Sequence, residues 1–199
     1  MKWRKLLAFG MAAVMTAALV SGCGSDNGKD CSSSAGKKIV VGLDDNFPPM
    51  GFKDENNEIV GFDIDLAKEA SKRLGREVEF KTIDWSSKEA ELKSGRVDIL
   101  WNGLDITEKR KENMLFSDPY MDNRQIIFVK KGTTGISDEK SLAGKVVGTQ
   151  SAGTAEEYMD KSDFFKQDVK EVKKYSDYVS AFMDLENGRI DAVVGDEIT

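Results

Sequence analysis

Apolar and polar positions alternate along this chain in two different periods, and the switches between them mark its elements. Lys38-Ile39-Val40-Val41-Gly42-Leu43 is a short β-branched run that predicts a buried strand. Asn46-Phe47-Pro48-Pro49 interrupts it, since consecutive prolines cannot continue a ladder. Phe62, Leu66, Ala70 and Leu74 then recur every fourth residue, with Ile64 and Ala67 beside them, which predicts an amphipathic helix stopping at Gly75. Val78–Phe80 alternates as a strand, and Ser86-Ser87-Lys88-Glu89 has the capping-box form that starts a helix. That helix closes at Gly95, before a strand over Val97–Trp101. Thr107 is placed to cap a short helix through Asn113, and Gln125–Val129 is another apolar strand. Strands over Val146–Thr149, Val169–Tyr175 and Ile190–Val194 follow, with helices from Thr154 and around Val179, Phe182, Met183 and Leu185.

The run Leu92-Lys93-Ser94-Gly95-Arg96-Val97-Asp98-Ile99 returns 93 residues later as Leu185-Glu186-Asn187-Gly188-Arg189-Ile190-Asp191-Ala192. Each copy reads as a helix end, a Gly cap and an apolar strand. The alternation predicts an α/β protein with mainly parallel sheets, and the repeat predicts two lobes of similar build with a cleft between them. The boundaries fall at 37–123 for the first lobe and 124–199 for the second, with the crossover near Asp122–Ile126. The last residues, Gly195-Asp196-Glu197-Ile198-Thr199, read as a strand end running into a new helix, so the second lobe is expected to be incomplete.

The N-terminus is of another kind. Met1–Lys5 is basic and Leu6–Val20 is a fifteen-residue apolar core, too short for a membrane span and suited to a secretory leader. Val20-Ser21-Gly22-Cys23 resembles a bacterial lipobox, so residues 1–22 are read as a lipoprotein signal peptide and Cys23 as the lipidated residue. Residues 23–36, rich in Gly, Ser and Asp, are read as a tether. Cys31 has no second thiol to pair with once Cys23 is modified. Composition narrows the partners. The chain carries 29 basic and 35 acidic residues, and removing Lys2, Arg4 and Lys5 with the leader leaves 26 against 35, net −9. An acidic chain of this kind argues against nucleic acid and polybasic membrane contact. It has no His, which removes His-based nucleophilic dyads and the commonest metal ligand, so no zinc site and no cofactor are expected.

In open α/β sheets ligands bind beyond the carboxyl ends of the strands. The residues at those ends are Asp44, Asp45 and Phe47; Trp85; Trp101-Asn102-Gly103-Leu104-Asp105 with Thr107 and Arg110; Gln150-Ser151-Ala152-Gly153-Thr154; and Asp196. Arg110 falls in a helix's first turn, where the macrodipole disfavours a cation, so a bidentate contact to a carboxylate would account for it. A surface Arg among Glu108, Lys109, Lys111 and Glu112 fits the same spacing. Gly148–Thr154 has the strand, Gly loop, helix form of an anion site, but Thr154 stands where a P-loop needs Lys, which suits a carboxylate better than a triphosphate. Phe47 and Trp85, in loops, are candidate cleft walls, whereas Asp44 and Asp105 are equally readable as turn residues.

Four runs stand in a familiar order: Gly42–Pro49 (GLDDNFPP), Val60–Ala67 (VGFDIDLA), Gly103–Arg110 (GLDITEKR) and Phe116–Tyr120 (FSDPY). With them the sequence from about Lys37 to Thr199 resembles the extracellular solute-binding proteins of polar amino acid ABC importers. The resemblance implies a two-lobed fold of the periplasmic-binding-protein type (type II). It also implies a monomer that closes on one free amino acid and delivers it to a permease, held by lipid on the extracellular face of the bacterial cytoplasmic membrane. Arg110 would pair with the ligand α-carboxylate, helped by Thr154, and Asp196 would take the α-ammonium with Gly103 and Asp105. Phe47 would pack on the side chain, Trp85 would set selectivity, and Asp44 would lie near the side-chain end. The family commonly has Ser or Thr where this chain has Asp105, a carboxylate that could draw Arg110 away. Two other readings are an exported dehydratase-like enzyme on the same scaffold and a sensory ligand-binding domain.

Overall fold

The computed structural model describes residues 37–199, so the leader, the tether, Cys23 and Cys31 lie outside the described residues. In chain order the elements begin with β1 (Ile39–Leu43), β2 (Asn46–Phe47), β3 (Gly51–Lys53), β4 (Ile59–Val60), α1 (Phe62–Arg73) and β5 (Val78–Thr82). A 3-10 turn at Trp85–Ser87 leads into α2 (Lys88–Lys93), then β6 (Ile99–Leu100), α3 (Glu108–Lys111) and β7 (Gln125–Phe128). The remaining elements are β8 (Val146–Gln150), α4 (Thr154–Met159), α5 (Asp163–Gln167), β9 (Glu171–Tyr175), α6 (Tyr178–Glu186) and β10 (Ala192–Asp196). β1 lies between β5 and β6, all parallel. The second sheet runs β7-β10-β8-β9, parallel except for the antiparallel β7–β10 pair. A third, antiparallel sheet β2-β3-β4 forms where the sequence suggested only a break.

The eight-residue repeat recurs down to single hydrogen bonds. Gly95 and Gly188 both adopt left-handed backbone, with φ of 71° and 69°, which glycine tolerates at no steric cost. After each, an aspartate grips the neighbouring parallel strand of its sheet with both its backbone and its side chain. The Asp98 N–H donates to the Val40 carbonyl at 2.8 Å, and the Val40 N–H returns a bond to Asp98 Oδ2 at 2.9 Å. Asp191 and Val146 make the same pair, both at 2.8 Å. The strand order β5-β1-β6 is matched by β9-β8-β10, and Asp44, just past the end of β1, meets Gln150 at the end of β8.

Two local expectations are corrected. The inward face of α1 is Asp63, Ile64, Ala67 and Ser71, while Phe62 and Leu74 are exposed. The helix is rotated because the Asp63 carboxylate turns inward to accept the Gly103 N–H at 2.6 Å and the Tyr120 hydroxyl at 2.8 Å. Nor does the Ser86–Glu89 box start α2. Asp84 caps instead, accepting the Ser86 N–H at 2.8 Å and forming the turn at Trp85–Ser87, and Lys88 becomes a buried residue. Thr107 does cap α3, accepting the Arg110 N–H at 3.3 Å.

Packing joins the two halves. Phe47 and Met50 lie in one apolar cluster with Tyr178, Ala181, Leu185, Ile190 and Val193. The approach is close enough that a Cβ on Gly103, in the first half, would stand 3.1 Å from the Ile198 side chain in the second.

Candidate functional site

The strand ends enclose one cavity of about 290 Å³. Its walls include all eight candidates, Asp44, Phe47, Trp85, Gly103, Asp105, Arg110, Thr154 and Asp196, together with Asn102, Leu104, Gln150 and Gly153. That volume includes space open to solvent.

Arg110 leaves α3 for the interior and is almost fully buried, so it is not a surface arginine of a charged helix. Nη1 donates to the Asp105 carbonyl at 3.0 Å and to Thr154 Oγ1 at 3.2 Å, while Nη2 donates to the Ala152 carbonyl at 3.3 Å and lies 3.3 Å from Glu157 Oε1. Its Nε is buried and unpaired. Asp105 does not draw the guanidinium to its carboxylate. That group instead accepts from Asn123 Nδ2 at 2.9 Å and Gln125 Nε2 at 3.3 Å. The same two amides donate to Asp196 Oδ1, at 2.5 and 2.6 Å. Burial, and next the adjacent Asp105 charge, push the Asp196 carboxyl above the usual carboxylate range. The Asn123 and Gln125 amide oxygens are left buried without a donor.

At Asp44 the side chain accepts the Asn46 N–H at 2.9 Å and Gln150 Nε2 at 2.6 Å, and its N–H donates to Asn102 Oδ1 at 2.9 Å. Gln150 belongs to β8, so this bond crosses from one sheet's end to the other's. Burial raises the Asp44 pKa to about 6, with smaller contributions from Asp177 and Asp45. Asp45 itself faces away from the cavity, paired with Lys53 and accepting Thr82 Oγ1 at 3.0 Å, and it drops out of the candidate set. Phe47 stacks obliquely on Tyr178 at 5.9 Å. Trp85 is buried beneath Lys88, whose Nζ stands 5.0 Å from the ring centre.

The Gly148–Thr154 loop departs from the expected anion cradle. The Ser151 N–H goes to the Tyr175 carbonyl at 2.8 Å, the Gly153 N–H to Gln150 at 3.3 Å, and the Ala152 N–H to the Glu156 carboxylate, so these three donors are occupied. Glu156 sits in the first turn of α4 and satisfies the loop from within. Ala152 takes a left-handed φ of 57°, which costs a non-Gly residue roughly 1–2 kcal/mol. Asn102 and Gln150 stood in the strand-end runs with no role assigned to them. Lys88 was missed. Its i,i+4 relation to Leu92 was the available signal that it shares that residue's face.

Comparison with known proteins gives the family. The model for bacterial extracellular solute-binding proteins, family 3, matches residues 39–182. The chain is 38% identical over 164 residues to ABC transporter arginine-binding protein 1 of Escherichia coli (strain K12), covering 82% of this chain and 65% of that protein's length. It is 35% identical over 198 residues to the arginine-binding extracellular protein ArtP of Bacillus subtilis (strain 168), covering 99% and 73%. Among solved structures, an ancestral arginine-binding protein bound to arginine superposes with a TM-score of 0.76 at 46% identity, over 80% of this chain and 70% of that one. The family model matches well over half of the sequence, and the chain belongs to the bacterial extracellular solute-binding proteins, family 3.

Proposed function

We propose that this protein captures a free amino acid outside the cytoplasmic membrane and passes it to the permease of an ABC importer, making and breaking no covalent bond. The observation that carries the reading is one cavity holding a buried arginine with an unpaired Nε together with the Asp105–Asp196 carboxylates. Those charges are complementary to a zwitterionic backbone. In this reading Arg110 and Thr154 take the α-carboxylate, Asp196 takes the α-ammonium with Gly103 and Asp105, and Phe47 and Trp85 flank the side chain. Asp44 meets its far end. Lobes at 37–123 and 124–199 close over the ligand, and the protein acts as a monomer.

The ligand class follows from charge. Asp44, Asp105 and Asp196 line the cavity against Arg110 alone. One Asp and the Arg serve the backbone, and the surplus carboxylates favour a cationic or hydrogen-donating side chain. The arginine-binding relatives support the same class. Titration calorimetry against the twenty amino acids is expected to give heat with arginine or lysine and none with glutamate or aspartate. Tight capture of glutamate with arginine ignored would refute it.

Localisation rests on Cys23. The lipobox supports a lipid anchor on the outer face of the membrane, with the permease beside it. Expressed in a bacterial host, the protein is expected in the detergent phase of a phase-partition assay, and Cys23→Ala in the medium. Equal solubility of the two forms would remove the anchor.

A further inference from the structure

Lys88 is buried to 2% exposure yet has no part in the site described above. It projects from the start of α2 towards the turn between β8 and α4, which belongs to the other half of the molecule. There its Nζ donates to the Ala152 carbonyl at 2.7 Å, with a longer bond of 3.3 Å to the Trp85 carbonyl. The Arg110 guanidinium donates to the same Ala152 oxygen. Two buried cations therefore converge on a single neutral carbonyl, held in place by a left-handed residue.

The charges around them do not balance. From α4, Glu157 lies against Arg110, whereas Glu156 is committed to Lys174 at 2.5 Å and to the Ala152 N–H. From its own segment Lys88 sees Glu89 at a distance and Asp84 on the preceding turn. Among the described residues, no carboxylate stands within ion-pair distance of Lys88. Burial, and next the Arg110 charge, lower its pKa to about 8, as expected for an ammonium lacking a counter-ion. The unpaired Arg110 Nε marks the same deficit from the other side.

We infer that Lys88 is the second cation of the carboxylate end of this cavity, lending its charge to Arg110 so that the site is completed by a ligand carboxylate. The inference rests on the amino-acid reading above. It adds that recognition of the carboxylate is shared between an arginine on the cavity wall and a lysine behind the wall, acting across the Ala152 turn. Lys88 acts through its field and through the turn, and so is a positioning residue.

The test compares L-arginine with L-argininamide, which lacks the carboxylate charge, by calorimetry on the whole chain. The wild type is expected to prefer the acid. Lys88→Met and Lys88→Gln should each cut that preference about tenfold while changing argininamide affinity less than twofold, the size expected for one charge acting through partly screened protein. Lys88→Arg should retain the preference. If Lys88 merely held the turn, the neutral variants would weaken both ligands equally. That result, or an unchanged ratio, overturns the inference and leaves amino-acid binding standing. A wild type that binds neither compound, and none of the other amino acids or their amides, overturns both.

Discussion

Arg110→Ala is expected to abolish detectable amino acid binding. In the proposed complex the guanidinium meets the ligand carboxylate in a site from which most water is excluded, and losing such a charged pair costs about 2–5 kcal/mol. The effect extends further, because Arg110 already links Asp105, Thr154, Ala152 and Glu157. Its removal leaves the Glu157 carboxylate without its cation and part of the turn at 152 unheld. The melting temperature should therefore fall as well, so affinity must be measured where circular dichroism shows the variant still folded. Arg110→Lys keeps a charge but cannot reproduce the fork, and should recover stability better than affinity. Unchanged affinity in the alanine variant would show that the ligand carboxylate lies elsewhere.

The backbone of this fold was the legible part. Positions such as Gly95 and Gly188 are dictated by local conformation, so a repeat of eight letters was enough to predict the helix, cap and strand in both halves. The same holds for the list of strand ends, since topology alone decides where those ends point. What the sequence hid were choices made by partners distant in the chain. Asp63 looks like an exposed first-turn acid until Gly103 and Tyr120, forty and fifty-seven residues away, supply its donors, and that contact rotates α1 away from the stripe suggested by Phe62 and Leu74. Asp45 looks like a site carboxylate until Lys53 claims it. Glu156 and the Tyr175 and Gln150 carbonyls take backbone donors that the Gly loop was expected to leave open. Lys88 is the clearest case, because no local rule places an ammonium at an inward position without a carboxylate to meet it. Each of these misses concerns who satisfies a polar group, which periodicity does not encode.

Acid should weaken ligand capture while strengthening the empty protein. Burial holds the Asp44 pKa near 6, above its unfolded value of 3.8, and shifts Asp196 in the same direction. A carboxylate whose folded pKa is raised gives stability that is fully present below the unfolded pKa and is lost as pH rises through the folded one. For Asp44 alone that loss is about 3 kcal/mol in all, of which about 2 kcal/mol falls between pH 4 and 6, and Asp196 adds to it with the same sign. Carboxylates held low by partners, such as Asp184 beside Lys173 and Arg189, work in the opposite sense but chiefly below this window. Thermal melts of the ligand-free protein should rise from pH 7 to pH 4.5, and Asp44→Asn should flatten the slope. Binding reverses the sign. An ammonium brought against Asp196, or a cationic side chain against Asp44, favours the ionised carboxylate, so the ligand must expel a proton from whichever group holds one. Affinity for arginine should be flat above pH 7 and fall below pH 6 by up to tenfold per unit for each carboxylate engaged. Calorimetry in buffers of different ionisation heat would count the protons released. Equal affinity at pH 5 and pH 7, with no proton release, would mean that neither Asp44 nor Asp196 meets a cationic group of the ligand.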